Sequence, residues 1–234
     1  MQKKLIRIFF CVLLAAALTG QAFAAAAQHE AYIGGFPDGT VRPEQTLTRA
    51  QLAQVLYRMA EPSAREELDR HETCFSDVSP AHWAYRAITA ATELGVLYGF
   101  SDGTFRPDAG VSRTELALAL TRVSHVQGAS EALPQLSAGW KAQEISFAAG
   151  NGWVMGFDGA VFRPDDALTR AEFMQIFNRI LGRTPASLDG LCVGMELWSD
   201  NADTRAWYFL DVQEASVSHT AEETECGEQW TALG

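Results

Sequence analysis

Three stretches of the chain place apolar residues at i, i+3, i+4 and i+7: Leu52, Val55, Leu56 and Met59; Leu116, Ala119, Leu120 and Val123; Phe173, Ile176, Phe177 and Ile180. That spacing returns side chains to one face of a helix, so each stretch predicts an amphipathic helix with one buried stripe. A start signal precedes each: Thr48-Arg49-Ala50-Gln51, Ser112-Arg113-Thr114-Glu115 and Thr169-Arg170-Ala171-Glu172. In such a capping box the hydroxyl accepts from the amide three residues on, and the Glu or Gln side chain reaches back to the cap amide. A second kind of helix stops on glycine. Trp83, Ile88 and Ala91 lead to Gly95-Val96-Leu97-Tyr98-Gly99, and Trp140, Ile145 and Ala148 lead to Gly152-Trp153-Val154-Met155-Gly156. Glycine just past an apolar helix is the expected terminator.

One phrase joins the two kinds of helix and is written three times. It reads Gly35-Phe36-Pro37-Asp38-Gly39-Thr40-Val41-Arg42-Pro43, then Gly99-Phe100-Ser101-Asp102-Gly103-Thr104-Phe105-Arg106-Pro107, then Gly156-Phe157-Asp158-Gly159-Ala160-Val161-Phe162-Arg163-Pro164. Asp-Gly predicts a turn, and the Arg-Pro step predicts an extended arginine, because proline disfavours the α region in the residue before it. The helix starts recur after 64 and then 57 residues. A repeat of that length is one supersecondary unit that cannot bury its apolar face alone.

The units are unequal. Residues 31–60 hold only the second half of one, 74–124 and 133–183 hold whole ones, and 198–216 hold a first half, in which Trp207, Val212 and Ala215 reproduce the spacing that begins at Trp83. The expected fold is mainly α: three helix–connector–turn–helix units in a pseudo-threefold bundle, the third completed when the C-terminal helix packs on the N-terminal half-unit and covers the Leu52 stripe. Residues 61–73, 125–131 and 184–197 read as solvated linkers, the first with a short helix around Ala64-Arg65-Glu66-Glu67-Leu68. Residues 217–234 read as an acidic tail with no firm structure.

Residues 1–24 read as a cleaved export signal, with Lys3, Lys4 and Arg7, an apolar run from Ile8 to Leu18 and the small-residue site Ala22-Phe23-Ala24. The run is well short of the roughly 20 residues a membrane span needs. Its removal takes three positive charges and no negative one, so the net charge of −11 becomes −14. That acidity argues against nucleic acid or an anionic membrane as the main partner. Cys74, Cys192 and Cys226 make a poor disulfide framework, although Cys192 and Cys226 are both placed to pair in the tail. No histidine falls into a zinc-type spacing with them, so neither a metal nor a cofactor is expected.

The capping boxes account for the hydroxyls and the Glu or Gln, but not for Arg49, Arg113 and Arg170. A cation at the first helical position opposes the helix dipole by about 0.3–1 kcal/mol. Three at one place suggest either an anion site, where a helix start and a guanidinium fork capture a carboxylate or phosphate, or internal ion pairs with Asp38, Asp102 or Asp158. Arg42, Arg106 and Arg163 read either as a second cationic component or as cations stacked on tryptophan. Trp83, Trp140 and Trp207 are candidate ligand contacts, although their shared stripe with Ile88, Ile145 and Val212 favours core packing. Arg58, Arg122 and Arg179, late in their helices, suit the C-terminal dipole without any function. No nucleophile elbow, metalloprotease motif or phosphate loop is present, and no enzyme is expected.

Phe75-Ser76-Asp77-Val78, the tryptophan, Gly99-Phe100-Ser101-Asp102-Gly103-Thr104-Phe105-Arg106-Pro107 and Thr169-Arg170-Ala171-Glu172 together resemble S-layer homology (SLH) domains over residues 31–183 and, more weakly, 198–216. The resemblance implies a pseudo-trimer of helices whose grooves bind secondary cell wall polymer, often a pyruvylated glycan, and tether secreted proteins to Gram-positive-type envelopes. It also implies that Arg49, Arg113 and Arg170 contact the ligand. Gln51 for glutamate, Thr114 for alanine and Leu133-Pro134-Gln135-Leu136 for the Phe-x-Asp opening depart from the pattern. The expected function is a non-catalytic wall-anchoring module. The alternative is an envelope assembly protein whose repeats bind S-layer or other partner proteins.

Overall fold

The computed structural model describes residues 26–69, 71–126, 163–224 and 227–234, and within 124–126 the backbone only. Described residues divide into two compact units, one holding 46–168 and the other 26–45 together with 169–234. Trp140, Phe157, Cys226, the export signal and most of the third repeat lie outside the described residues.

In the first unit, α1 (Arg49–Arg58), α2 (Pro62–Leu68), α3 (Tyr85–Glu93) and α4 (Arg113–Val126) follow in order. Helix α2 occupies the first linker, where Ala64 and Leu68 are buried. Thr48 caps α1 with the reciprocal Gln51 bond, and Ser112 and Glu115 exchange the same pair of bonds at α4, each 3.1 Å. The stripes face inward: Leu52, Val55, Leu56, Leu116, Ala119, Leu120 and Val123 are buried. Helix α3 packs on both α1 and α2. Leu47, Val111 and Leu168, one from each copy of the phrase before a helix, close a ring of backbone hydrogen bonds. Leu47 N donates to Leu168 O, Leu168 N to Val111 O and Val111 N to Leu47 O, all at 2.9 Å.

The second unit brings the first 20 described residues onto the C-terminal part of the chain. Helix α5 (Arg170–Leu181) begins in the Thr169–Glu172 capping box and ends on Gly182, whose φ of 68° suits a residue without Cβ. Helix α6 (Phe209–Ser216) packs on α5. Tyr32 is buried between them: its hydroxyl donates to Asn178 Oδ1 at 2.6 Å, its ring meets Phe177 edge-on at 5.0 Å, and its amide donates to Ala215 O at 3.0 Å.

The mainly helical bundle predicted from the repeats is corrected by this unit. Its remaining chain forms a three-stranded antiparallel sheet in the order β1 (Ala27–His29), β2 (His219–Thr224), β3 (Gly227–Leu233). Residues 218–234, read from sequence as a tail, therefore supply most of a sheet. One of its faces is covered, with Val217, Ala221 and Trp230 packing together. The predicted pairing is corrected as well. Helix α6 lies on α5, while the Leu52 stripe of α1 is covered by α3. What the C-terminal segment engages is the phrase 32–42 rather than a helix stripe: Asp200 accepts from Val41 N at 2.8 Å and from Arg42 N at 2.7 Å. Asp77 does the same in the first unit for Phe105 N and Arg106 N, at 2.8 and 2.7 Å.

Candidate functional site

Two of the three Arg-Pro arginines are held in an unusual backbone conformation. Arg42 and Arg106 have φ of 52° and 58°, so the extended conformation expected before proline is corrected to a left-handed one. For a non-glycine residue this costs about 1–2 kcal/mol, offset by the paired amide bonds to the carboxylates of Asp200 and Asp77. The left-handed step turns the arginine back over its own loop. Arg106 Nη2 donates to Asp102 Oδ2 at 2.9 Å and its guanidinium lies 3.8 Å from the Phe100 ring centroid. Arg42 repeats both contacts, 2.9 Å to Asp38 and 3.8 Å to the Phe36 ring. These arginines therefore stack on phenylalanine rather than on tryptophan. The Thr104 hydroxyl and Arg106 hold the Asp102 carboxyl down at about 2, and Thr40 and Arg42 do the same for Asp38.

The helix-start arginines arrive at the same rings. Arg49 is buried, with Nε donating to Phe105 O at 2.9 Å, Nη2 to Tyr98 O at 2.6 Å and Nη1 to Glu115 Oε1 at 2.7 Å. Its guanidinium is 5.1 Å from the Phe100 centroid. Arg170 is buried too, with Nε donating to Val41 O at 2.8 Å and Nη2 to Gly34 O at 3.2 Å, and lies 5.1 Å from the Phe36 centroid. Each described Gly-Phe ring thus carries two guanidinium groups from different stretches of sequence. Gly35 permits this packing in the second unit, since a Cβ there would run into the Trp198 ring, and a Cβ at Gly99 would meet Phe75.

The two rings differ in charge balance. Arg49 has Glu115, whereas Arg170 has no carboxylate within salt-bridge distance among the described residues. Burial and then the neighbouring Arg42 charge lower the Arg170 pKa to about 10, with Asp200 opposing. It is therefore still a cation at neutral pH. Burial lowers Arg49 as well, and Glu115 works against that.

Around Arg49 lies a groove of about 230 Å³ lined by Leu97, Tyr98, Phe100, Glu115, Leu118 and Arg122. Arg122 donates to Val96 O at 3.2 Å and stands 4.7 Å from the Tyr98 centroid. Sequence reasoning assigned Arg122 to the helix dipole and passed over Tyr98, Phe100 and Glu115. The signal that would have found them is the fixed offset between each Gly-Phe pair and the next helix start.

Helix starts themselves are not open to an anion. Arg49 N and Ala50 N donate to Ala109 O and Pro107 O, both at 2.9 Å; Arg113 N and Thr114 N to Asp166 O and Pro164 O, at 3.2 and 3.0 Å; Arg170 N and Ala171 N to Gln45 O and Pro43 O, both at 2.8 Å. These amides are therefore already satisfied, and the dipole argument for them is corrected. Arg113 is buried like its two counterparts. Arg163 is exposed, 3.6 Å from Asp166. Trp83 and Trp207 are corrected from core to surface: they are 61% and 52% exposed, Trp83 stacked on His82 and Trp207 edge-on to Tyr208. Ile88 and Val212, expected on the same stripe, are buried without them.

The S-layer homology domain matches residues 20–53, 75–117 and 135–174, together half of the chain. The chain belongs to the S-layer homology domain family. It is 30% identical to Cell surface glycoprotein 1 of Acetivibrio thermocellus over 82% of its length and 9% of that protein's. To the Cellulosome-anchoring protein of the same organism it is 26% identical, over 86% of this chain and 45% of the relative. To the Surface-layer 125 kDa protein of Lysinibacillus sphaericus it is 26% identical, over 66% of this chain and 13% of the relative. The chain thus spans less than half the length of these relatives.

Proposed function

We propose that the chain is a non-catalytic anchoring module of the cell envelope, exported across the membrane of a Gram-positive-type bacterium and held at the wall by an anionic secondary cell wall polymer. The observation that carries this reading is Arg170, a buried guanidinium over Phe36 with two carbonyl partners and no carboxylate partner among the described residues. A carboxylate on the polymer, such as a pyruvyl group, supplies the missing counter-charge in a setting where a charge-assisted bond is strong. Arg42 forms the second cation of that site, and Arg106 and Arg49 occupy the same places at Phe100. Arg113 opens the second of the three helices and Arg163 stands in the third copy of the phrase. The exposed Trp83 and Trp207 suit stacking on sugar faces, as Trp140 does by its position in the repeat. The names of the surface and anchoring relatives support the same reading.

The test is titration of purified wall polymer into the full chain at low and high salt. Expected are binding that weakens with salt, because the attraction is ionic, and a ten- to hundredfold loss in Arg170→Ala, about 1.5–3 kcal/mol. Salt-independent binding that survives Arg170→Ala overturns the anionic reading. The exposed Trp83, Tyr98 and Trp207 favour one alternative, an assembly protein whose aromatic surface docks partner proteins. That reading gains if Trp83→Ala and Trp207→Ala abolish capture of an S-layer protein while polymer binding is absent.

A further inference from the structure

Within the second unit, four side chains from four different elements converge on one buried point. They are His29 of β1, Glu214 of α6, His219 of β2 and Glu228 of β3, and one ligand atom from each lies within 4.8 Å of all the others. His29 Nδ1 is 3.3 Å from Glu214 Oε1 and 3.1 Å from Glu228 Oε1. His219 Nε2 is 3.1 Å from Glu214 Oε2 and 3.2 Å from Glu228 Oε1. Neither carboxylate nor the His219 ring is open to solvent, and only the His29 side chain, 13% exposed, reaches the surface.

The orientation of these groups is fixed from behind. His219 Nδ1 lies 2.8 Å from Val217 O, an acceptor only, so the proton of the neutral ring sits on Nδ1. Its Nε2 then faces two carboxylates, an arrangement completed either by a proton on Nε2 or by a metal cation between them. Trp230 Nε1 donates to Glu214 Oε2 at 3.1 Å, and the Trp230 ring stacks on His219 at 3.7 Å. A backbone carbonyl behind the histidine and a donor behind the carboxylate are the supports that metal ligands ordinarily have. One group is left unmatched: Glu228 Oε2 is buried with no hydrogen-bond partner. The buried Arg183 does not satisfy it, since its Nη1 donates to Glu30 O at 3.4 Å.

We propose that His29, Glu214, His219 and Glu228 form a structural zinc-type site that fastens β1 to α6 and the other two strands. Ligand atoms at about 2.0–2.1 Å from a tetrahedral zinc stand roughly 3.3 Å apart, close to the nitrogen–oxygen separations observed. Two imidazoles select a borderline transition metal over calcium or magnesium, which take oxygen. Four protein ligands close the coordination sphere, so the site is structural rather than catalytic. It also adds a tie to β1, a three-residue strand with few ladder bonds of its own. The expectation of no metal came from looking for cysteine–histidine spacings. These ligands span residues 29 to 228 and meet only in the folded unit.

The test uses the full chain, stripped with a chelator and titrated with Co²⁺ and then Zn²⁺. Expected are saturation at one equivalent with the intense visible absorption of four-coordinate cobalt, displacement of cobalt by zinc, and a rise in melting temperature on zinc binding. His219→Gln is expected to abolish the absorption. His29→Gln, at the edge of the site and the variant with least effect on folding, is expected to weaken zinc binding by about 100-fold or more. Cys74→Ser and Cys192→Ser leave both signals unchanged. The proposal is overturned if cobalt gives no four-coordinate spectrum and zinc leaves the melting temperature where it was, the cluster then being a hydrogen-bonded ion network. It is equally overturned if the absorption survives in His29→Gln or disappears in a cysteine variant.

Discussion

At Phe100 the buried helix-start arginine, Arg49, has a carboxylate 2.7 Å away; at Phe36 its counterpart, Arg170, bonds two carbonyl oxygens and no carboxylate among the described residues. Both rings carry a second guanidinium at 3.8 Å, and both of those arginines sit in left-handed backbone tied to a carboxylate of a first half-unit, Asp200 for Arg42 and Asp77 for Arg106. Geometry is therefore shared and charge balance is not. A buried guanidinium has given up hydration, and hydrogen bonds to carbonyl dipoles replace that only in part. Glu115 supplies a counter-charge to Arg49, whereas the hydrogen bonds of Arg170 among the described residues go to carbonyls alone. A repeat can thus keep one frame and change the charge balance of its arginines by one residue beside them.

The largest effect separates the sites by their supports. Phe209 is buried in the second unit, and Phe209→Ala is expected to cost about 3–5 kcal/mol. Loosening α6 should release Asp200 and with it the Arg42 turn, so polymer binding at Phe36 falls while the Phe100 site keeps its structure. Hydrogen exchange resolved by residue checks this. Equal loss of protection at Arg42 and Arg106 would show that the two supports are not independent.

Next in size are the arginines themselves. Arg170→Ala is expected to weaken polymer binding ten- to hundredfold, and Arg49→Ala less, because a charge already paired at 2.7 Å has less to offer a ligand. Arg49→Ala should instead lower the melting temperature, since it leaves Glu115 and the carbonyls of Phe105 and Tyr98 without their donor. Calorimetric titration and thermal melts of both variants read the two quantities together.

A smaller change sharpens the comparison from the other side. Glu115→Gln keeps the capping box, as Gln51 does at α1, but removes the carboxylate from Arg49. Polymer affinity at the Phe100 groove is expected to rise by up to about fivefold. An unchanged affinity in the same titration would mean that charge balance does not distinguish the sites.

The smallest effect is one the sites share. The Asp38 and Asp102 carboxyls are held at about 2 by the threonine hydroxyl and then the arginine of their own turns, against about 3.9 in an unfolded chain. A depressed carboxyl stabilises the fold fully above about pH 4 and loses that contribution as the pH falls through about 2. Carboxyl carbon shifts followed by NMR should titrate alike at both positions. A value near 3.9 at either would remove the arginine clamp from the account.

What was legible in the sequence follows from range. Capping boxes and i, i+3, i+4 stripes are local, and α1, α4 and α5 start at the arginines where those signals put them. The Asp-Gly turns, and Asp77 and Asp200 ahead of Trp83 and Trp207, were visible as well, although the tie from Asp200 back to Val41 and Arg42 spans more than 150 residues and became plain only in the fold. The tryptophans misled because a shared helical spacing does not say which end of the helix is covered. Trp83 and Trp207 precede α3 and α6 and stand outside the packed face. The sheet was missed because strands β1, β2 and β3 are short and rich in Glu, Gln, His and Thr, so their alternation is weak, and because β1 and its partner β2 lie at opposite ends of the chain. Phe100 was legible as part of a motif but not as a platform, since only the left-handed turn at Arg106 brings the guanidinium over it.

The central claim, that anionic wall polymer is what these arginines hold, is tested most directly by sedimentation with purified cell walls. Walls carrying the polymer and walls from which it has been extracted are each mixed with the chain and with its Arg170→Ala variant. The chain should pellet with intact walls and stay in solution with extracted ones, and Arg170→Ala should shift from pellet toward supernatant. Equal pelleting of both proteins with extracted walls would contradict the account.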